Sequence, residues 1–126
     1  MARKIMVVDD ERSVCRALRK FLERKGYRVV EAYNGHEALE LYKRERPKVV
    51  LLDIRMPGKN GLEVLRELKA HNPKARVIMV SAVQEEEIVL KAMNAGAFDY
   101  ITKPINRDHL ETALMNEDAL LSDEEH

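Results

Sequence analysis

The chain has 126 residues, enough for one domain with a buried core. Its 22 basic and 22 acidic side chains cancel, so charge points neither to nucleic acid nor to an anionic membrane. No apolar run approaches a membrane span, the first residues lack a signal-peptide pattern, and a lone Cys15 cannot form an internal disulfide; the expectation is a cytoplasmic protein.

In chain order, Lys4 to Val8, with the apolar run Ile5-Met6-Val7-Val8 closed by Asp9-Asp10-Glu11, reads as the first strand. Val14, Ala17, Leu18, Phe21 and Leu22 recur at helical spacing, and Gly26 stops that helix. Tyr27 to Ala32 reads as a second strand. Asn34 is placed to cap a helix carrying Ala38, Leu41 and Tyr42, which Pro47 closes. Val49 to Asp53 is the third strand, halted by Met56-Pro57-Gly58. Leu62, Leu65 and Leu68 mark the next helix, and Arg76 to Val80 a fourth strand ending on Ser81-Ala82. A helix with Ile88, Val89, Ala92 and Met93 on one face runs to Gly96. Phe98 to Ile101 is the fifth strand, followed by Thr102-Lys103-Pro104 and a last helix beginning near Asn106 or Asp108, with Leu110, Ala113, Leu114, Leu120 and Leu121 inward and Glu117 interrupting the stripe. One domain over residues 1–122 with a frayed polar tail at 123–126 is expected.

Strand and helix alternate five times over short links, which implies right-handed crossovers and an α/β parallel sheet with helices on both faces. The third strand is apolar on both faces, as a buried parallel strand is, and Asp53 emerges from its carboxyl end. Ligands bind at that edge of open α/β sheets. Taken alone, an aspartate there is as readily a turn cap as a functional group.

Its neighbours decide otherwise. The first strand delivers Asp9 and Asp10 to the same edge, the fourth Ser81, and the fifth leads to Lys103. Converging carboxylates repel one another, and a hard divalent cation with oxygen preference, magnesium, relieves that repulsion. A metal, an ammonium and a hydroxyl together suit a phosphoryl group, and a carboxylate can take one up as an aspartyl phosphate. Asp53 is the natural nucleophile.

The chain resembles the receiver domains of bacterial two-component response regulators over essentially its whole length. The resemblance rests on Val7-Val8-Asp9-Asp10-Glu11, on Leu51-Leu52-Asp53-Ile54-Arg55-Met56-Pro57-Gly58 with Gly61, on Val80-Ser81-Ala82, and on the Gly96–Pro104 segment with Tyr100 and Lys103. It implies a doubly wound, flavodoxin-like five-stranded parallel sheet of order 2-1-3-4-5 flanked by five helices, an order that standard descriptions of this fold already assign to the family. It implies that Asp53 accepts a phosphoryl group from a sensor histidine kinase or phosphotransfer protein. Asp10, Asp53 and the backbone carbonyl of Arg55 would bind Mg2+ (Mn2+ as a substitute), with Asp9 secondary or acting through water. Lys103, Ser81 and the Ala82 backbone would contact the phosphate. Ser81 and Tyr100 would form the switch, Tyr100 turning inward in the active state, and the Lys103-Pro104 peptide would be cis. The surface of the fourth helix, fifth strand and fifth helix would then signal to an output domain or protein target, with phosphorylation-dependent homodimerisation left open. The chain is thus expected to be a phosphoacceptor switch rather than an enzyme, catalysing only its own phosphorylation and dephosphorylation.

Two other readings share parts of this pattern. A phosphatase of the haloacid dehalogenase type also uses a strand-end Asp, magnesium and a Lys, but wants a second acid where this chain has Arg55. A flavodoxin-like cofactor binder would carry Gly, Ser or Thr after the first strand, where Asp9-Asp10-Glu11 would repel a phosphate. His36, His71, His109 and His126 lack metal-ligand spacing and read as surface residues, and Cys15 reads as a packing residue.

Overall fold

A computed structural model describes the backbone of residues 3–125 and the side chains of residues 3–116. The elements are β1 (Lys4–Val8), α1 (Arg12–Arg24), β2 (Arg28–Ala32), α2 (Gly35–Glu45), β3 (Val49–Leu52), α3 (Gly61–His71), β4 (Val77–Ser81), α4 (Glu86–Asn94), β5 (Asp99–Thr102) and α5 (Arg107–Glu125). The five strands form one sheet in the order β2-β1-β3-β4-β5, every pairing parallel. Leu120, Leu121, Glu117 and the polar tail lie outside the described side chains.

The period-2 alternation of the strands divides the core in two. Met6, Val8, Val50, Leu52, Val77 and Met79 face one side and pack with residues of α2, α3 and α4, among them Ala38, Leu65 and Ala92. Ile5, Val7, Leu51, Ile78 and Val80 face the other side and pack with Cys15, Leu18 and Leu22 of α1 and Leu110 and Leu114 of α5. Burial on both faces explains why these strands are continuous apolar runs.

The helix ends follow from local chemistry. Asn34 Oδ1 accepts from the Glu37 N–H at 2.8 Å, and Asn60 Oδ1 from the Glu63 N–H at 3.1 Å. Asn106 does the same for α5 by accepting from the His109 N–H at 3.1 Å. At the end of α1, Gly26 adopts φ +94°, its N–H bonds the Glu23 carbonyl and the Tyr27 N–H bonds the Leu22 carbonyl. That paired arrangement satisfies two carbonyls the helix would otherwise leave open.

Four strands differ by a residue from the sequence reading. β2 begins at Arg28 rather than Tyr27, and β3 stops at Leu52, releasing Asp53 from the ladder. β4 and β5 are each shifted one residue later because Ser81 pairs with Thr102 and extends their ladder toward the functional edge.

Candidate functional site

Strand register builds the site. Val8 sits opposite Leu52, so Asp9 and Asp53, each one residue further, leave the sheet side by side. The Asp53 N–H bonds the Val8 carbonyl at 3.1 Å, fixing that alignment. On the other flank Ser81 sits opposite Thr102, and the Lys103 N–H bonds the Ser81 carbonyl at 2.9 Å. Lys103 is therefore held next to both aspartates, and the Lys103-Pro104 peptide is cis.

Asp9, Asp10 and Asp53 offer carboxylate oxygens that all lie within 4.8 Å of one another. Asp9 and Asp53 are buried, at 2% and 6% exposure, whereas Asp10 faces solvent. A buried carboxylate needs its lone pairs occupied. Asp9 has one donor on each oxygen: Oδ1 accepts from the Glu11 N–H at 2.9 Å and Oδ2 from Lys103 Nζ at 2.7 Å. Lys103 Nζ also donates to Asp53 Oδ2 at 3.1 Å. The ammonium thus bridges the two buried carboxylates. Burial still pushes Asp9 above its ordinary value, against the opposing pull of Lys103 and the Glu11 N–H. For Lys103 burial acts downward, but its bonds to Asp9 and Asp53 outweigh it and hold the ammonium above its usual value.

The remaining predicted residues ring this centre. Ser81 is buried, and its Oγ accepts from the Val83 N–H at 3.2 Å. Ala82 follows it in an exposed position. Tyr100 is half-buried and donates its hydroxyl to the Val83 carbonyl at 2.6 Å. Arg55 is exposed, its guanidinium 3.7 Å from Glu85. Gly61 comes so close that a Cβ there would lie 2.0 Å from the Asp53 carbonyl oxygen. Cys15 donates its thiol to the Asp9 carbonyl at 3.4 Å, and burial together with Asp9 and Glu31 pushes it up to about 12, a packed and unreactive thiol.

Sequence reasoning did not single out Val83. An apolar residue in a strand–helix link carries no signal of its own; its role lies in its backbone, which joins Ser81 to Tyr100. His109, read from the sequence as a surface residue, is exposed, with its Nε2 3.1 Å from Asp99 Oδ2.

A family model for the response regulator receiver domain matches residues 5–115. The chain belongs to this family. This receiver domain is 36% identical over 115 residues to the chemotaxis protein CheY of Thermotoga maritima, covering 90% of this chain and 96% of that protein. It superimposes with a TM-score of 0.91 on a CheY-like response regulator receiver domain protein from Methanospirillum hungatei, at 31% identity over 98% of this chain and 99% of the other. It is also similar, at 30% identity and a TM-score of 0.86, to a chain of the CheX-CheY-BeF3-Mg+2 complex from Borrelia burgdorferi, covering 90% of this chain and 87% of that one. Receiver domains are signalling switches of two-component systems, bind magnesium at an acidic pocket, and interact with kinases, phosphotransfer proteins and output partners. The phosphatase and flavodoxin readings fall with the family match. Among the described residues no helix is long and apolar enough to cross a membrane.

Proposed function

We propose that Asp53 is the phosphoacceptor. The observation that supports this most is the meeting of Asp9, Asp10 and Asp53 within 4.8 Å, with Lys103 Nζ between the two buried members. An Asp53 carboxylate oxygen attacks the phosphorus of the donor, forming an O–P bond while the bond from phosphorus to the donor's histidine nitrogen breaks and that nitrogen keeps the electron pair. Lys103 moves its contact from the carboxylate to a phosphoryl oxygen, Ser81 Oγ turns from Val83 to another, and the Ala82 N–H supplies a third.

The donor set fits magnesium: carboxylate oxygens from Asp10 and Asp53, a backbone carbonyl from Arg55, and Asp9 through water; manganese offers the same oxygen preference. Bound there, the ion supplies charge neutralisation at the phosphoryl oxygens. Residues 1–122 form the switching unit, and the face of α4, β5 and α5 carries the change to an output domain or protein target in the cytoplasm, with homodimerisation on the same face as one form of output.

Incubation with acetyl phosphate and magnesium tests this reading. The expected result is a mass gain of one phosphoryl group that requires magnesium and disappears in Asp53→Asn. A gain that survives in Asp53→Asn places the acceptor elsewhere and sinks the assignment.

A further inference from the structure

A second charged feature lies at the opposite end of the sheet. A cleft of about 590 Å³ opens where α2 runs into β3 and α3 runs into β4, beside the amino ends of those strands. Lys43, Arg46, Lys48 and Lys74 line it, together with half-buried Arg76, and no carboxylate does. The first four are exposed and form no ion pair among the described residues; Lys4, Arg19, Lys25, Arg44, Lys59 and Lys91 each pair with a glutamate, while Arg16, Lys20 and Arg24, which line a smaller cleft along α1, are likewise without an ion pair. In a chain of zero net charge, like charges gathered without partners carry a repulsive cost that an anion would remove.

Basic residues in the last turn of a helix complement its dipole, which accounts for Lys43 and for His71. It does not account for Lys48 and Lys74, which lie beyond the helices in the links to β3 and β4. Nor is the link carrying Lys74 slack. Asn72 Oδ1 accepts from the Lys74 N–H at 3.0 Å, Asn72 Nδ2 donates to the Tyr42 hydroxyl at 3.0 Å across to α2, and Lys69 Nζ holds the Pro73 and Ala75 carbonyls at 2.8 and 3.0 Å. The His71 ring meets Tyr42 edge-on, with centroids 6.1 Å apart. The cations are therefore mounted on a braced frame, which lowers the ordering cost of binding.

We propose that this cleft binds a small polyphosphate anion, of the class of a nucleoside triphosphate or inorganic tripolyphosphate. Its volume falls in the range of small-ligand sites, roughly 300–1,000 Å³. Clustered lysine and arginine donors match several adjacent phosphates with charge-assisted bonds. The four residues of β3 separate it from Asp53 by roughly 13 Å, at about 3.3 Å per residue, so occupancy does not require the phosphoacceptor.

The test is a ¹H–¹⁵N NMR titration of the full chain with tripolyphosphate in magnesium-free buffer, followed by ATP. The expected result is saturable shifts at Lys48 and at the Asn72–Arg76 amides, unchanged in Asp53→Asn. Lys48→Glu/Lys74→Glu, exposed positions that keep the fold, should weaken binding at least about tenfold, while Lys20→Glu/Arg24→Glu on α1, with the same change in net charge, should stay within about twofold. Tighter binding of ATP than of tripolyphosphate identifies a nucleotide; equal binding identifies the phosphate chain alone, and both support the cleft. Shifts that never saturate, that map to α1 instead, or that weaken equally in both double variants overturn the proposal.

Discussion

The Tyr100 hydroxyl donates a 2.6 Å hydrogen bond to the backbone carbonyl of Val83, and the N–H of that same residue donates to Ser81 Oγ. One peptide segment between β4 and α4 therefore answers to both hydroxyls of the proposed switch. If Ser81 turns toward a phosphoryl group on Asp53, the Val83 N–H loses its acceptor. The segment then has to rearrange, and Tyr100 is bonded to it. The coupling needs no long chain of contacts, only one residue with two bonds and two arrangements to choose between.

Tyr100→Phe tests that coupling. It keeps the ring and leaves the carbonyl of buried Val83 without its donor, at a cost of about 1 kcal/mol. Amide exchange in residues 82–85 should quicken while the amides of β1 and β3 stay protected. Unchanged exchange there would show that the Tyr100 bond does not hold the segment.

Gly61 and Gly58 should respond very differently to alanine. A Cβ on Gly61 would meet the Asp53 carbonyl oxygen at 2.0 Å and the Ile54 Cα at 2.7 Å, and backbone cannot step aside as a side chain can. Gly61→Ala is expected to lose about 3 kcal/mol or more by urea denaturation and to slow phosphorylation of Asp53, whose backbone it displaces. Gly58 has φ +78° with open space around it, so Gly58→Ala should cost only about 1–2 kcal/mol of backbone strain. Equal losses would mean that close approach to Asp53 is not what Gly61 serves.

This contrast marks where sequence is legible and where it is not. The order of elements was readable because buried parallel strands, amphipathic helices and their caps each have a local pattern, as in Val49–Leu52 and in Asn34 before α2. Convergence of Asp9, Asp53, Ser81 and Lys103 was readable because all lie at or just past the carboxyl ends of strands in one parallel sheet, so a shared edge follows from topology alone. Register was not readable. That Lys103 bonds Asp9 more closely than Asp53 depends on which residues pair across four strands, and a shift of one residue in β4 and β5 had no local signal. Backbone roles such as that of Val83 leave no trace in side-chain type. The basic cleft was also invisible, because Lys43, Lys48 and Lys74 read singly as solvated surface until the α2–β3 and α3–β4 links lie together.

Lys103→Met should expose how much the bridging ammonium offsets. Without it, two buried carboxylates face each other with no cation between them, and removing one partner of a buried pair costs about 3–5 kcal/mol. Lys103 sits above its usual value, so its contribution is fully present at neutral pH and is lost only as pH rises through that raised value. The deficit of the variant relative to wild type should therefore be full near pH 7 and shrink toward pH 4, where protonation removes the charge on Asp9. A deficit that is flat between pH 4 and 7 would show that packing of the lysine stem, not its charge, is what was lost.

Asp9→Asn should move stability the other way. Burial raises the Asp9 carboxyl above its ordinary value despite Lys103 and the Glu11 N–H, so in the folded chain the proton is held more tightly than in the unfolded chain. For a group raised in this direction, the stabilising contribution is complete below the unfolded value of about 3.9 and is lost as pH rises through the folded one. At neutral pH the ionised Asp9 therefore carries a burial cost that an uncharged isostere removes, and the variant should be the more stable of the two there. The gain should be largest near pH 7 and fade toward pH 4, read as the difference in urea midpoint between variant and wild type. Lys103 keeps Asp53 as its partner in this variant, so the fold does not lose the bridge entirely. The same substitution removes one oxygen of the acidic set and should weaken magnesium binding about tenfold, measured by titration of the amides around Asp10 and Asp53. A variant that is less stable at pH 7, with magnesium affinity intact, would place the value of Asp9 in its hydrogen bonds to Glu11 and Lys103 rather than in its charge.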